Sequence, residues 1–308
     1  MEASILRRFA WFDGVSSRLS DNYRGGMVVN FLLAPLAIIA GVAYLPFATS
    51  HEKWMFALAE FVLLASIIAI TALGHIRRWH GRWFQTRRVA EYFRHAPILL
   101  LLGVARAPGR WPRSVDATWP ESFARQVLRE IGLPQIVVTH GYLRAAVSGL
   151  LDEHVVRQRD YHIAKAQRLA TVHRNLDRSS GLLFMCAVIS VAGFLVLKLA
   201  SALGVLPDVS ERAAHVATFL GVLFPTFGGA IAGIRYFGDF ERFSAISEVT
   251  AKKLDAVHTR IKILLSGPDH AIDYGRVSDL AHTIDEIVVS EIENWQAVFG
   301  GKHITVPV

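Results

Sequence analysis

The chain has 308 residues, 52% hydrophobic and 19% charged, with a formal net charge of +7 and a single cysteine, and its mean hydropathy is +0.34. That apolar share is high for a soluble domain, while the charged share leaves room for a substantial aqueous portion. One cysteine excludes a disulfide framework and a cysteine-based zinc site.

In chain order, a polar segment over 1–26 comes first, expected on the cytosolic side. Apolar runs follow at 27–47, 54–74, 182–203 and 216–237. A helix of about 20 residues rises roughly 30 Å, enough to cross a bilayer core once with its backbone hydrogen bonds satisfied internally. The first run is longer than the apolar core of a cleaved secretory signal, roughly 7–15 residues, and is read as a retained span. The expectation is an all-α integral membrane protein with four transmembrane helices in two hairpins and helical cytosolic extensions.

The short connection over 48–53 makes the first hairpin, 27–75. The cytosolic helical region, 76–180, opens with Arg77, Arg78, Arg82, Arg87, Arg88 and Arg94 against only Glu91. The positive-inside bias puts that segment in the cytosol and, with it, both termini. The second hairpin, 181–237, fits the same orientation, with Arg174 and Arg178 before it and Arg235 and Arg242 flanking its end. Arginine at span ends thus accounts for the net charge, and no nucleic-acid partner is expected.

Within the cytosolic region, 106–118 is linker-like, with Pro108, Gly109 and Pro112. Thr118, Pro120 and Glu121 predict a capping box for a short helix ending at Gly132. A longer helical pattern over 138–178 is expected to project from the membrane as a stalk. The C-terminal region, 238–308, predicts a helical pair. Phe243, Ile246, Thr250, Leu254, Val257, Ile261 and Leu264 form one seam, Gly267 and Pro268 break the chain, and Val277, Leu280, Ile284, Ile287, Trp295 and Val298 form the second. With fewer than four heptads, the two are expected to fold back on each other rather than on another copy.

Two charged residues interrupt the spans at similar predicted depth, Glu60 in the second and Lys198 in the third. Each costs about 2.5 to 3.5 kcal/mol at a helix centre on insertion scales. Either they pair across facing helices, or Glu60 lines a water-filled path while Lys198 snorkels to the outer headgroups. In the fourth span, Gly221, Pro225, Gly229 and Gly233 recur every four residues and are read as a seam for close helix packing. Cys186 is read as a small packing residue of the third span.

The 13 histidines show no His-Glu-x-x-His arrangement, and no phosphate loop or nucleophile elbow is present in the sequence. No enzymatic activity, metal or cofactor is expected.

The segments WHGRWFQTRRVAEYFR, RDYHIAKAQRLATVHRNLDRSSGLLF, PTFGGAIAGIRYFGDFERFS and the terminal EIENWQ resemble, in this order, SLATT-type bacterial membrane modules, the SMODS- and SLOG-associating effectors. The version resembled is the four-span one found behind TRPM-like SLOG sensor domains, and the likeness extends from about Tyr23 onward. It implies a pore-forming or membrane-perturbing effector of nucleotide-signalled conflict systems such as anti-phage defence; because four helices alone pack into a filled bundle, a conducting form is expected to be a homo-oligomer. No sensor domain precedes the spans in this sequence, so the resemblance leaves the trigger open; membrane lipid is an expected partner and a cytosolic sensor protein a candidate one. The likeness also implies scaffold roles for its signature residues. Trp79 and Trp83 would anchor at the inner interface, Glu91 would pair with Arg87 or with an arginine of the stalk, and Trp295 would pack back on this layer.

The leading expectation is therefore an oligomeric ion-permeable assembly in a cell inner membrane. The competing one is a non-conducting scaffold that presents cytosolic helices to a partner protein. A transporter is less well supported, because no pair of broken helices occupies matching positions.

Overall fold

The computed structural model describes residues 2–47, 50–104, 118–299 and 307. Every extended regular element among them is a helix: α1 (Glu2–Phe47), α2 (Lys53–Ile76), α3 (Trp79–Leu101), α4 (Thr118–Ile131), α5 (His140–Ala146), α6 (Glu153–Ala202), α7 (Glu211–Gly238), α8 (Phe240–Ser266) and α9 (Tyr274–Phe299). A π-helical turn, Val147–Asp152, carries α5 into α6. Of the linker expected at 106–118, residues 106–117 lie outside the described residues and Thr118 already belongs to α4.

The chain divides into two compact units. The first comprises the described residues of Met1–Ser20, Trp79–Leu169 and Glu241–Lys302. One apolar core within it gathers Leu99 and Leu102 from the end of α3, Leu143 of α5, Leu151 and Val155 around the start of α6, and the facing seams of α8 and α9. The α8 seam follows the predicted steps of three and four, except that Ser247 takes the fully buried place beside Ile246. Leu254, Val257 and Ile261 share this core with Val277, Leu280 and Ile284, so α9 folds back on α8 within the chain. Arg144 secures the turn between them. Its guanidinium reaches Asp269 Oδ1 at 2.6 Å, the carbonyl of Leu265 at 2.8 Å and that of Gly267 at 2.7 Å.

The predicted stalk is, as far as Leu169, a wall of this packed unit, because Leu143, Val147, Leu151 and Val155 are all buried in it. A second core joins Ile5 and Phe12 of α1 to Val89 and Phe93 of α3 and Val127 of α4. Helix α4 begins at Thr118 as expected and stops where Gly132 adopts φ +70°, a conformation favourable for glycine.

The second unit comprises Asp21–Arg78 and Ala170–Phe240 among its described residues. It contains the apolar portions of α1, α2, α6 and α7, all long and apolar enough to cross a membrane. Only 17%, 6%, 6% and 11% of their most apolar windows is buried inside the chain, in that order. Greasy surface of this extent needs a cover other than water. Asn30 Nδ2 donates to Thr71 Oγ1 at 2.9 Å, joining α1 to α2, and Asp177 of α6 forms an ion pair with Arg235 of α7.

Ile261 is fully buried, and removing its side chain leaves a cavity that its neighbours only partly close. Ile261→Ala should therefore cost about 2–4 kcal/mol, read as a lower denaturation midpoint in detergent. Ile263→Ala, at a site 66% exposed, should change stability by less than about 0.5 kcal/mol.

Candidate functional site

Glu60 lies on α2 against α1. Its carboxylate occupies the space beside Gly41, where an added Cβ would come within 2.7 Å of Oε2. The side chain is half-buried, and glycine at position 41 makes room for it. Lys198 is exposed and its ammonium lies 3.5 Å from Asp208, in the connection between α6 and α7. Among the described residues, no ion pair joins Glu60 to Lys198 or to any other basic group.

The small residues of α7 serve two neighbours. A Cβ at Gly221 would meet Val191 of α6 at 3.8 Å, whereas one at Gly233 would run into the Phe31 ring of α1. A four-residue step overshoots a full helical turn by roughly 40°, so the strip winds round the helix instead of staying on one face. The closest approach to α6 falls at Gly228. There a Cβ would stand 3.7 Å from both Leu183 Cβ and the Ser180 carbonyl, and Ser180 Oγ donates to the Gly228 carbonyl at 3.0 Å. Pro225 and Gly229 are exposed, and a Cβ at Gly229 would meet nothing within 4 Å.

Two further hydroxyls in these helices are satisfied within their own helix. Ser190 donates to the Cys186 carbonyl at 2.8 Å, and Thr226 donates to that of Val222 at 2.8 Å. Asn30 is 1% exposed, and its Oδ1 has no hydrogen-bond partner among the described residues.

The first unit holds the charged signature residues in a partly buried cluster. Glu91 accepts from Arg87 at 2.6 Å and from Arg94 at 3.2 Å, so the one-turn pairing forms and a second arginine of the same helix joins it. Asp13 of α1 completes the group, 2.9 Å from Arg87 and 3.5 Å from Arg94. Trp83 is buried and meets Trp295 edge-on at 6.3 Å, with Phe243 4.9 Å from Trp295. Trp79 is half-buried.

Lys165 lies over the Trp295 ring at 4.1 Å, and its ammonium is 3.5 Å from Glu291. Burial pushes the Glu291 carboxyl above the ordinary range, and Lys165 pulls it back. His162 Nε2 is 3.4 Å from the same carboxylate. Burial, followed by the charges of Lys165, Arg94 and Arg87, holds its pKa down at about 3. The imidazole is therefore neutral, and Lys165 supplies the positive charge that Glu291 faces. His154, packed on His95 at 4.7 Å, is depressed to about 4 by burial and then by Arg94 and Arg157.

Glu121 turns away from the predicted capping box. Its Oε1 accepts from Arg88 and from the Tyr92 hydroxyl, each at 3.0 Å. Sequence spacing could not reveal Asp13, Glu121 or Glu291, since their partners lie far along the chain. The signal available was the excess of arginine in α3, which needs acidic partners once α3 is buried.

Among the described residues no group of three or more His, Cys, Asp or Glu side chains could hold a metal ion. Compared with known proteins, the chain matches no family model, no curated protein and no solved structure.

Arg88→Met would strand Glu121 in a site where both side chains are under 9% exposed. That should cost about 3–5 kcal/mol, and a second change, Glu121→Leu, should recover most of it in a denaturation series. The unfolded chain binds protons at histidine below about pH 6.5, whereas folded His162 and His154 resist them down to about 3 and 4. Stability should accordingly fall as pH drops from 6.5, by on the order of 2 kcal/mol for each of the two histidines by pH 5. Glu291, whose carboxyl burial holds above its ordinary range, acts in the opposite direction. Replacing both histidines with glutamine should flatten the slope of melting temperature against pH.

Proposed function

We propose that several copies of this chain assemble an ion-permeable pathway in a cell inner membrane, with both termini cytosolic and the first unit receiving the activating signal. The observation that carries this is Glu60, an acidic side chain in an apolar helix that faces α1 and has no basic partner among the described residues. A carboxylate left in hydrocarbon is costly, so water, a permeating cation or another copy is the environment that suits it. Four helices alone pack into a filled bundle, and conduction therefore needs several subunits.

The two-hairpin arrangement has support from contacts. Asn30 meets Thr71 and Gly41 meets Glu60, so as α1 advances α2 recedes by the same number of residues. Gly221 meets Val191 and Gly228 meets Leu183, so α6 and α7 also run antiparallel. The resemblance of the four segments to SLATT-type modules supports an effector of a conflict system triggered by a cytosolic signal, with no catalytic or cofactor chemistry of its own.

A second reading, a non-conducting anchor for a cytosolic partner, is favoured by the hydroxyls of Ser190 and Thr226 being bonded within their own helices. Little polar lining is then left for a path. Recording from planar bilayers containing the full chain separates the two. Conductance whose cation selectivity is lowered in Glu60→Gln is expected; unchanged selectivity removes Glu60 from the pathway, and silent bilayers leave the anchor.

A further inference from the structure

Between the C-terminal part of α6 and the first turns of α7 lies a groove of about 440 Å³. Phe194 and Leu197 line it from α6, and Ala217 and Leu220 line it from α7. Gly193 opens it further, since a Cβ there would meet nothing within 4 Å. The one basic residue in this lining is Arg212, in the first turn of α7.

Arg212 is exposed and makes no hydrogen bond or ion pair among the described residues. The acid nearest in the same connection is already engaged. Asp208 Oδ1 accepts from Val209 N at 2.9 Å, Ser201 Oγ at 3.2 Å and Lys198 Nζ at 3.5 Å. Glu211 lies in the opening turn of α7, where the helix dipole favours an acidic side chain. What remains is a largely apolar groove at the end of two spans, with an uncommitted guanidinium among its lining groups. Chain-like hydrocarbon and a phosphate match those two features.

We propose that this groove binds one anionic phospholipid, with an acyl chain along Phe194 and Leu220 and the headgroup phosphate on Arg212. The site rests on the spans lying in lipid, and is independent of whether the assembly conducts.

The test is native mass spectrometry of the detergent-extracted full chain given phosphatidylglycerol and phosphatidylcholine of matched tails. Phosphatidylglycerol should be retained about fivefold more, and Arg212→Gln should bring that ratio close to one. Gly193→Leu, or Ala217→Leu should the first lose its helicity by circular dichroism, fills the slot and should lower retention of both lipids. Inorganic phosphate at the same concentration should displace neither. A ratio unchanged by Arg212→Gln, retention unchanged by a folded groove-filling variant, or displacement by phosphate alone overturns the assignment. Recovery of the chain from lysate without detergent would instead overturn the membrane reading, and is scored separately.

Discussion

The constraint on which everything else depends is the apolar surface that the second unit leaves uncovered by the chain itself. Phe61, Ile68, Phe184, Ile189 and Val196 are all more than 60% exposed. In water such a surface would drive aggregation, while in lipid it is the ordinary exterior of a span. The same constraint explains how polar atoms behave on these helices. Ser66 donates to the Val62 carbonyl at 2.7 Å, as Ser190 and Thr226 do to carbonyls of their own helices. Each hydroxyl is thereby satisfied without asking anything of its surroundings.

Arginine plays two parts that the sequence does not distinguish. Arg235 at the end of the fourth apolar stretch forms its ion pair with Asp177 inside the second unit, and suits a residue that marks the edge of a span. Arg87, Arg88 and Arg94 belong instead to the packed interior of the first unit. Burying Arg88 and half-burying Arg87 and Arg94 costs far more than leaving them in water unless carboxylates accompany them. Asp13, Glu91 and Glu121 meet that need, so the beginning of α1, the middle of α3 and the start of α4 are joined by charge as well as by the Phe12, Phe93 and Val127 core.

The helical class and the apolar stretches were legible because each is a local pattern. The seams of α8 and α9 were legible for the same reason: steps of three and four mark the buried face before any partner is known. Long-range pairings were not. Glu121 sits where a capping box predicts a bond to its own helix, yet it is 33 residues from the Arg88 it accepts from, and a buried charge outcompetes an exposed cap. Likewise, a four-residue repeat of small side chains in α7 reads as one seam only if the slow drift of the strip around the helix is ignored. Over the twelve residues from Gly221 to Gly233 that drift is enough to exchange α6 for α1 as the neighbour.

Gly41 brings these strands of the structure together. In a helix packed on another helix, a glycine normally lets two backbones approach, as Gly228 does with α6. At position 41 the space is taken by a carboxylate instead. The α1–α2 pair therefore carries polar groups at two levels, Asn30 with Thr71 and Glu60 beside Gly41, but only the first is a hydrogen bond between side chains. An amide and a hydroxyl can satisfy much of each other's need within the pair, whereas a lone carboxylate cannot. The acid at position 60 thus calls on something beyond the two helices that hold it.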